Sequence, residues 1–316
     1  MDSHARRPRP SITVENRTLQ AAQRRMALGT IVIPSLATVA ALALAPVTGV
    51  TALDLGLLVG MYVLTNVGIE VGFHRHFAHR AFETTQAVRV ALAILGSMAA
   101  EGSVLYWAAG HRRHHAHSDT GGDPHSPHVR DLDGRGVPWA ERVRGLWHAH
   151  VGWMMTDKVT NCTLFASDIL RDPVLNRIHR LYVPIALAGL AIPALVGGVV
   201  SGSWTGAGTG FLWGGLVRMF LVHHSTWSNA SFGHVYGRRP FPAGDRSATN
   251  AWCALPTLGA SWQNNHHMFP TSAYLGLEWW QVDVGRYIIQ GLAAVGLAWN
   301  VSGPPSAAQI DAARVA

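Results

Sequence analysis

The sequence has little charge, little cysteine and almost no lysine. Charged side chains make up 14% of the 316 residues, whereas an ordinary soluble domain has about 25%. The two cysteines, Cys162 and Cys253, are far apart and have no CxxC spacing, which argues against a disulfide or a thiolate metal site. Lys158 is the only lysine. The chain also lacks a haem-binding HPGG stretch, a dinucleotide or flavin fingerprint and a cysteine cluster, so a redox reaction here would need electrons from a separate protein.

Long apolar segments take up much of the chain instead. A helix needs about 20 apolar residues to cross a bilayer, and residues 27–47 and 50–73 supply two such runs. No charged residue occurs in 181–217, which at about 1.5 Å per residue is too long for one crossing. A turn in the Gly/Ser/Thr-rich stretch 201–210 would divide it into a hairpin whose second leg ends near Trp227. The sequence therefore predicts an all-α integral membrane protein with four transmembrane helices in two hairpins.

Arginines indicate which side of the membrane is cytoplasmic. Six of them lie in residues 1–25 and many more follow in 75–180, whereas the two predicted outer turns contain neither Arg nor Lys. Because cytoplasmic segments carry the excess of Arg and Lys, we expect both termini and the metal site on the cytoplasmic side, with a helical cap built from residues 74–180 and 228–286. The excess of basic over acidic residues, 25 against 18, then needs no nucleic-acid partner.

This pattern suggests one membrane domain with short tails. We expect a mobile basic tail at 1–25, the membrane domain at 26–301 and a C-terminal tail at 302–316. The apolar pieces 90–100 and 287–301 are too short to span and predict embedded or interfacial helices. The expected location is the cytoplasmic membrane of a bacterium or an equivalent membrane.

Histidine is abundant, with 18 copies, and it is clustered. In the stretch HRRHH, His111, His114 and His115 are spaced i, i+3 and i+4, which places them on one face of a helix as a chelating set. In HRHFAHR, His74 and His79 would lie roughly 140° apart around an α-helix. They would therefore bind different metals or mark the end of the helix.

The third cluster, QNNHH, combines His266 and His267 with Gln263, whose side chain would lie beside both on a helix. A glutamine oxygen is a harder and weaker ligand than imidazole, so Gln263 could bind a metal, hold a water or simply pack. The isolated His234 is a further candidate. These histidines exceed the needs of one zinc ion, which predicts two metals. Iron, copper and zinc are all compatible with an imidazole-rich site without thiolates.

The clusters follow the order HxxxxH, HxxHH and (H/Q)xxHH, and in this order they resemble the integral-membrane fatty acid desaturases, in particular the acyl-CoA branch related to stearoyl-CoA desaturase. GFHRHFAHRAF, HRRHHAHSDTGGDPHSPH, HVYGRRPF and SWQNNHHMFP carry the resemblance, which covers about residues 50–285. That family binds two irons through nine histidines and a water held by asparagine. By position, the resemblance assigns eight of the nine to His74, His79, His111, His114, His115, His234, His266 and His267.

Two positions depart from the family pattern. Gln263 occupies the ninth histidine position, where the front-end branch of the superfamily also has glutamine. The family's asparagine would fall at Ala230, and Asn229 lies one place earlier, so Asn229 is the candidate to hold the water. Both changes surround the same cluster, so one of the two metal sites is expected to differ.

The resemblance also implies residues that support the metals and line a substrate tunnel. The candidates for orienting the ligands are Asn66, Glu70, Asp119, Asp123 and Asn265. Leu58, Tyr62 and Trp107 are the candidates for the tunnel, and the bulky Tyr62 would limit chain length or shift the oxidised position.

The implied reaction is O2-dependent introduction of a C=C bond into a long-chain fatty acyl thioester, with acyl-CoA as the expected carrier. Two iron ions are the implied cofactor, and electrons would come from an external ferredoxin or a cytochrome b5-like donor with its reductase. Alternatives on the same centre are hydroxylation, acetylene formation, oxidative decarboxylation, or action on an acyl-carrier-protein or natural-product chain. A non-enzymatic membrane metal-binding protein is disfavoured, because the spans are apolar and the histidines cluster on one side of the lipid bilayer.

Overall fold

The computed structural model describes residues 10–315, and most of these residues are helical. The first part of the chain forms α1 (Arg17–Thr48), α2 (Ala52–Val67), α3 (Gln86–Met98), α4 (Val104–His117) and α5 (Trp139–His150). The middle part forms α6 (Cys162–Phe165), α7 (Ser167–Arg171), α8 (Pro173–Arg180) and α9 (Tyr182–Ser201). The last part forms α10 (Trp204–Gly210), α11 (Arg218–Ser231), α12 (Gln263–Met268), α13 (Val284–Ala294) and α14 (Ala307–Val315).

Strands are few and short. They are β1 (Thr13–Val14), β2 (Glu83–Thr84), β3 (Val159–Thr160) and β4 (Ala298–Trp299). β1 pairs antiparallel with β3, and β2 pairs antiparallel with β4. The described part of the chain is therefore mainly helical, in agreement with the prediction. Each strand pair joins a segment near one end of the chain to a short strand between two helices.

Two helices change their winding midway. α2 continues without interruption as a π-helix, Gly68–Ala78, and α10 continues as the π-helix Phe211–Val217 before α11 begins. The first π-helix crosses α3 very closely, because a Cβ atom added to Gly68 would lie only 2.1 Å from the Gly96 amide nitrogen. Only glycine at both Gly68 and Gly96 permits this approach. The close crossing places the π-helix that carries the first histidine cluster directly against α3.

Three helices in residues 10–315 are long and apolar enough to cross a membrane: α1, α2 with its π-helical continuation, and α9. The fourth predicted crossing lies in the continuous helical segment 204–231, which is less apolar because it contains Arg218, histidines and hydroxyl residues. Arg218 is fully buried and donates to the carbonyl oxygens of Met98 at 3.0 Å and Gly189 at 2.8 Å. Its charge is therefore satisfied inside the protein.

The helix connections are tighter than the sequence suggests. α9 ends at Ser201, Gly202 adopts φ +64°, and the Ser203 side chain accepts from the Gly206 amide to begin α10. The stretch 201–210, predicted as a turn, is thus mostly helix, although α9 and α10 do pack against each other as a hairpin requires. α1 and α2 both pack on the π-helix Phe211–Val217.

Both predicted tails contain helix. α1 begins at Arg17, inside the predicted tail 1–25, because the Asn16 side chain accepts from the first free amides of the helix. α14 lies within the predicted C-terminal tail 302–316. Residues 1–9 of the expected mobile tail, and residue 316, lie outside the described residues.

A buried ion pair connects the first π-helix to the chain that follows α12. Arg75 Nη2 lies 2.7 Å from Asp283 Oδ1, and Arg75 Nη1 donates to the Ala273 carbonyl at 3.1 Å. Both charged side chains are 1% exposed. Gly285 leaves the necessary space, since a Cβ there would lie 2.5 Å from Arg75 Nη1. The first and third histidine clusters are thereby held in fixed relation.

Candidate metal centre

The first histidine pair lies at the end of the π-helix that extends α2. A π-helix closes hydrogen bonds from i to i+5, so the His79 amide donates to the His74 carbonyl at 3.0 Å and the two rings lie 5.0 Å apart. The expectation that the pair binds different metals assumed α-helical winding and is wrong for this geometry; the expectation that His79 marks the helix end is confirmed. His76 faces the Phe82 carbonyl instead, at 3.0 Å.

Four histidines form what we call the first histidine group. Ring nitrogens of His74, His79, His111 and His266 all lie within 4.8 Å of one another. The Nε2 atoms of His74 and His266 are 3.0 Å apart, and those of His79 and His111 are 2.7 Å apart. With metal–nitrogen bonds of about 2.1 Å, two imidazoles at right angles on one ion would have nitrogens about 3.0 Å apart. These separations suit neighbouring ligands of a single cation.

The second histidine group consists of His114, His234 and His267, again with ring nitrogens within 4.8 Å. His115 lies between the two groups. Its Nε2 is 3.0 Å from that of His266, and its ring stacks on His267 with the centroids 4.5 Å apart. The i, i+3, i+4 spacing of α4 thus serves both groups, and the three clusters and His234 converge on one place.

Four of these histidines have a carboxylate at Nδ1. The pairs are His74 with Glu70 (3.0 Å), His114 with Asp123 (2.9 Å), His234 with Asp119 (2.9 Å) and His267 with Asp245 (2.5 Å). Such a carboxylate fixes the ring tautomer and leaves Nε2 free for a metal. The resemblance implies Glu70, Asp119 and Asp123 in this role but misses Asp245, which lies outside the motifs that carry the resemblance.

Hydrogen bonds keep two of these aspartates ionised. Burial raises the pKa of Asp123, but the charge and hydrogen bond of His114 outweigh it and hold that pKa below its ordinary value. Burial likewise raises the pKa of Asp119, and the hydrogen bonds from His234 and Ser126 lower it by more. Both groups are therefore acceptors for the histidine N–H at neutral pH.

Two predicted supporting residues point elsewhere. The Asn265 side chain donates to the Leu275 carbonyl and to Gln281, each at 2.9 Å. The Asn66 side chain donates to the Pro256 carbonyl at 2.8 Å. Both brace chain segments around the centre, and their donor atoms do not reach the histidines.

The unpaired nitrogens fit a bound cation. Nε2 of His234 and of His267 is buried and has no hydrogen-bond partner among the described residues, which is costly unless a ligand takes it. Burial, with the neighbouring histidines adding to it, lowers the pKa of His111, His115 and His266 well below the usual value. These rings are therefore neutral at pH 7 and keep a lone pair for a metal. An imidazole set with nearby carboxylates and no thiolate suits iron, copper or zinc.

Gln263 lies at the edge of the second group, at the first position of α12. Its side chain is buried, and its Oε1 has no hydrogen-bond partner among the described residues. Gly233 gives it room, since a Cβ there would lie 3.1 Å from Gln263 Cγ. Gln263 and Asn229 face the same pocket as His114. The amide oxygen is thus free to coordinate a cation or to accept a hydrogen bond.

A largely apolar pocket adjoins both histidine groups. His74, His111 and His114 form one wall, and the Trp107 indole stacks on His111 with centroids 5.0 Å apart and an angle of 19° between the rings. The other walls include Met26, Ala27, Ala149, Trp153, Met154 and Trp227. Trp107 is thus where a tunnel residue is expected, directly beside the candidate ligands.

The other two tunnel candidates do not line this pocket. Leu58 packs against the cluster around Trp213 and Val217. Tyr62 lies against the loop before α12, where its hydroxyl donates to the Pro256 carbonyl at 2.6 Å. The described pocket therefore stops short of α2 at these positions.

A second, polar hollow reaches a different set of the histidines. It is lined by His79, His115 and His267 together with Arg112 and residues 243–245. The apolar pocket and the polar hollow thus reach the candidate metal centre at different histidines.

Residues 49–300 match the fatty acid desaturase family, and this range contains every histidine of both groups. The chain belongs to the fatty acid desaturase family. It is therefore an oxidoreductase that acts on fatty acyl chains at a membrane, as the histidine pattern predicts.

Relatives of this desaturase use different acyl carriers. The chain is 47% identical over 306 residues to the hex-5-enoyl-[acyl-carrier protein] acetylenase of Moorena producens (strain JHB), covering 97% of this chain and 94% of the relative. It is 35% identical to the sn-1 stearoyl-lipid 9-desaturase of Anabaena variabilis, covering 76% and 80%. It is 34% identical to the icosanoyl-CoA 5-desaturase of Limnanthes douglasii, covering 76% and 62%. Family membership alone therefore leaves the carrier open.

Proposed function

We propose that this desaturase converts a double bond into a triple bond on a short acyl chain carried by an acyl carrier protein. The observation that carries the proposal is the 47% identity to the hex-5-enoyl-[acyl-carrier protein] acetylenase, which extends over 97% of the chain. The pocket is consistent with it, because Leu58 and Tyr62, the positions expected along a long tunnel, are not among its lining residues. In each turnover O2 would accept two hydrogens from the chain and two electrons with two protons from a donor, leaving the alkyne and two waters.

Desaturation of a long-chain acyl-CoA or acyl-lipid is the second candidate. It is favoured by the similarity to the stearoyl-lipid and icosanoyl-CoA desaturases, at 35% and 34% identity. Hydroxylation and oxidative decarboxylation would use the same centre and differ only in how the acyl chain is placed.

We infer that the two histidine groups hold two iron ions. Bound iron would activate O2 and supply the oxidant that removes hydrogen from an unactivated C–H bond. The protein's own contribution is to orient the ligands through Glu70, Asp119, Asp123 and Asp245, and to hold the acyl chain against Trp107 in a pocket that excludes water.

The proposed topology has four spans, with the helical segment 204–231 as the fourth. The arginine distribution supports placing both termini, the cap and the metal centre on the cytoplasmic side. The burial of Arg218 on two backbone carbonyls supports a membrane position for that segment, since a charge in a span must be satisfied by protein. Cysteine-labelling of Gly202→Cys from outside the cell tests this; labelling only after lysis would contradict it.

An external electron donor, a ferredoxin or a cytochrome b5-like protein with its reductase, is proposed for the polar side. The hollow lined by His79, His115 and His267 brings these ligands close to the aqueous surface.

The test of the proposed function is a product assay with matched carriers. The iron-loaded enzyme, a ferredoxin and its reductase are given saturated and terminally unsaturated chains from six to eighteen carbons on acyl carrier protein, on CoA and in lipid, and products are read by mass spectrometry. We expect the short unsaturated acyl chain on acyl carrier protein to lose two hydrogens. His79→Gln should abolish turnover, and His76→Gln, in the same cluster but facing Phe82, should retain it. Turnover of long-chain CoA or lipid alone would favour the second candidate.

Gln263 is proposed as a ligand of the second iron, directly or through a water shared with Asn229. Its unpaired buried oxygen supports this. Gln263→His tests it by iron content: raised occupancy would show that the native site is poor in ligands, while unchanged occupancy with lost activity would assign glutamine a specific role in the reaction.

A further inference from the structure

The segment 250–258 exposes large apolar side chains although it lies in the predicted cap. Trp252 is 92% exposed and Leu255 is 69% exposed. No charged residue occurs between Arg246 and Glu278. Single exposed apolar side chains are common in soluble proteins, so the meaning of this surface depends on where the fold places it.

One carbonyl group holds this segment against α2 and α11. The Pro256 carbonyl oxygen accepts from the Tyr62 hydroxyl at 2.6 Å and from the Asn66 side-chain amide at 2.8 Å, both on α2. It also accepts from the Ser225 hydroxyl on α11 at 3.1 Å. Because α2 is one of the helices long and apolar enough to cross a membrane, the segment is fixed to the side of a candidate span.

The contact lies far along both helices. At about 1.5 Å per residue, Tyr62 is about 15 Å and Asn66 about 21 Å from the first residue of α2. Counted in the same way from the first residue of α10, Ser225 is about 30 Å along its helical segment. A hydrocarbon core is about 30 Å thick. Both counts place the Pro256 carbonyl between the middle of the membrane and its boundary on the side of the metal centre.

The same two helices expose apolar side chains immediately before the contact. On α2, Val59 is 59% exposed and Val63 is 40% exposed. On α11, Leu221, one turn before the anchoring serine, is also 40% exposed. Leu255, next to the anchored carbonyl, and Trp252 continue this apolar surface, and tryptophan is enriched where hydrocarbon meets water.

The backbone of the segment needs little water. The Trp252 amide donates to the Asn250 side chain at 3.0 Å, and Pro256 has no amide N–H. Turns within the segment pair three further amides with carbonyls three or four positions earlier, those of Ala254, Thr257 and Leu258. Irregular backbone at membrane depth is tolerated only where protein satisfies its polar groups. The segment largely meets this condition, because its own turns and the two helices provide the partners.

We propose that residues 251–256 form a re-entrant segment that contacts lipid, with Trp252 and Leu255 among the acyl chains of the leaflet on the side of the metal centre. A bilayer fits this surface better than a soluble protein partner, because the stretch between Arg246 and Glu278 has no charge to steer one. The segment leads into α12, so its contact with lipid fixes the third histidine cluster relative to the membrane. The proposal holds for either candidate function, since it concerns the outer face of the segment.

Fluorophores attached at single positions test the proposal in vesicles. An environment-sensitive maleimide dye is attached to Trp252→Cys or Leu255→Cys, in the full chain with Cys162→Ser and Cys253→Ser. The iron-loaded protein is placed in vesicles of phosphatidylethanolamine and phosphatidylglycerol. Quenching is measured with nitroxide-bearing phospholipid and with iodide on both sides of the bilayer.

Two matched positions provide the controls. Val59→Cys lies on the exposed face of α2 and reports lipid, whereas Leu132→Cys replaces a leucine that is 52% exposed between two aspartates and reports water. We expect the dye at both segment positions to behave as at Val59→Cys, with strong quenching by the lipid nitroxide. Quenching by iodide should be largely lost relative to Leu132→Cys.

Each other outcome overturns the proposal. Iodide quenching at both segment positions as strong as at Leu132→Cys would place the segment in water. Positions reached by neither quencher would be covered by a second copy or another protein. Iodide quenching at Val59→Cys would remove the span on which the depth of the segment depends.

A second measurement uses the unmodified holoenzyme. It is irradiated in vesicles that contain a phospholipid with a diazirine on its acyl chain, and the adducts are mapped by peptide mass spectrometry. We expect adducts on the peptide with Trp252 and Leu255 and none on the peptide with Leu132. Adducts on α2 without any at residues 251–256 would contradict the lipid contact, whichever product the enzyme forms.

Discussion

Replacing Asp245 by asparagine tests the metal centre at the one carboxylate that sequence patterns do not reveal. Asp245 Oδ2 accepts from His267 Nδ1 at 2.5 Å, while Oδ1 accepts from the amide and the hydroxyl of Ser247 at 2.9 and 2.5 Å. In Asp245→Asn, the remaining oxygen stays with the two Ser247 donors and the NH2 group faces His267. The ring must then accept at Nδ1 and carry its proton on Nε2, the nitrogen that is otherwise free for a metal.

The expected loss of metal affinity in Asp245→Asn follows from the role of carboxylates that accept a hydrogen bond from a ligand histidine. Removing the hydrogen-bond acceptor of a ligand histidine lowers metal affinity about 10- to 100-fold, or about 1.4 to 2.7 kcal/mol. Only the second histidine group contains His267. We therefore expect one class of iron sites to weaken by this factor while the other keeps its wild-type affinity.

The assay is an anaerobic iron titration against a competing chelator, with iron per chain determined by mass spectrometry. Asp133→Asn is the matched control, because Asp133 is 63% exposed and its ion pair among residues 10–315 is with the exposed Arg135. If Asp245→Asn binds both ions with wild-type affinity, His267 is not held in its tautomer by Asp245 and the geometric reasoning is refuted. If both classes weaken equally, the two groups are not separate sites.

Three further predictions concern stability and chain length. Burial raises the pKa of Glu101 to about 8, so the folded state retains a proton that the unfolded chain releases near its ordinary pKa; stability should fall from about pH 4.5 to about pH 8, and Glu101→Gln should remove that slope in thermal unfolding curves. Asp283→Asn leaves buried Arg75 unpaired and should cost about 3 to 5 kcal/mol, whereas Asp157→Asn at an exposed pair should cost at most about 1 kcal/mol. Tyr62→Ala should admit longer acyl chains in a competition assay read by mass spectrometry, and Tyr62→Phe, which keeps the ring, should not; an unchanged profile in Tyr62→Ala would contradict a limiting role.

Local spacing was enough to identify the histidine clusters as candidate metal ligands, because each cluster spans only a few residues. The i, i+3, i+4 pattern in α4 requires only that the segment be helical, and α4 is helical from Val104 to His117. The apolar runs that became α1, α2 and α9 are likewise visible in the sequence, since a membrane span is set by length and composition. These features need no knowledge of what packs against them.

Features that depend on distant contacts were not predictable. The π-helical winding of Gly68–Ala78 places His74 and His79 side by side, whereas an α-helix would separate them around its axis. No periodicity in the sequence predicts this winding. It is accompanied by the close crossing at Gly68 and Gly96, a tertiary contact. Asp245 was missed for the same reason, because its role exists only once the loop before α12 has folded against His267.

The distribution of carboxylates explains how the second group can accommodate Gln263. Glu70 serves the first group, whereas Asp119, Asp123 and Asp245 all serve the second, and none of these side chains is more than 5% exposed. Buried charges need compensation, and two divalent cations among neutral imidazoles would balance four carboxylates. Three of the four negative charges surround the second group, so a cation there is attracted more strongly at short range. We propose that this attraction offsets the weaker binding of an amide oxygen relative to imidazole, so that a chain with Gln263 in place of the ninth histidine would still hold a second metal.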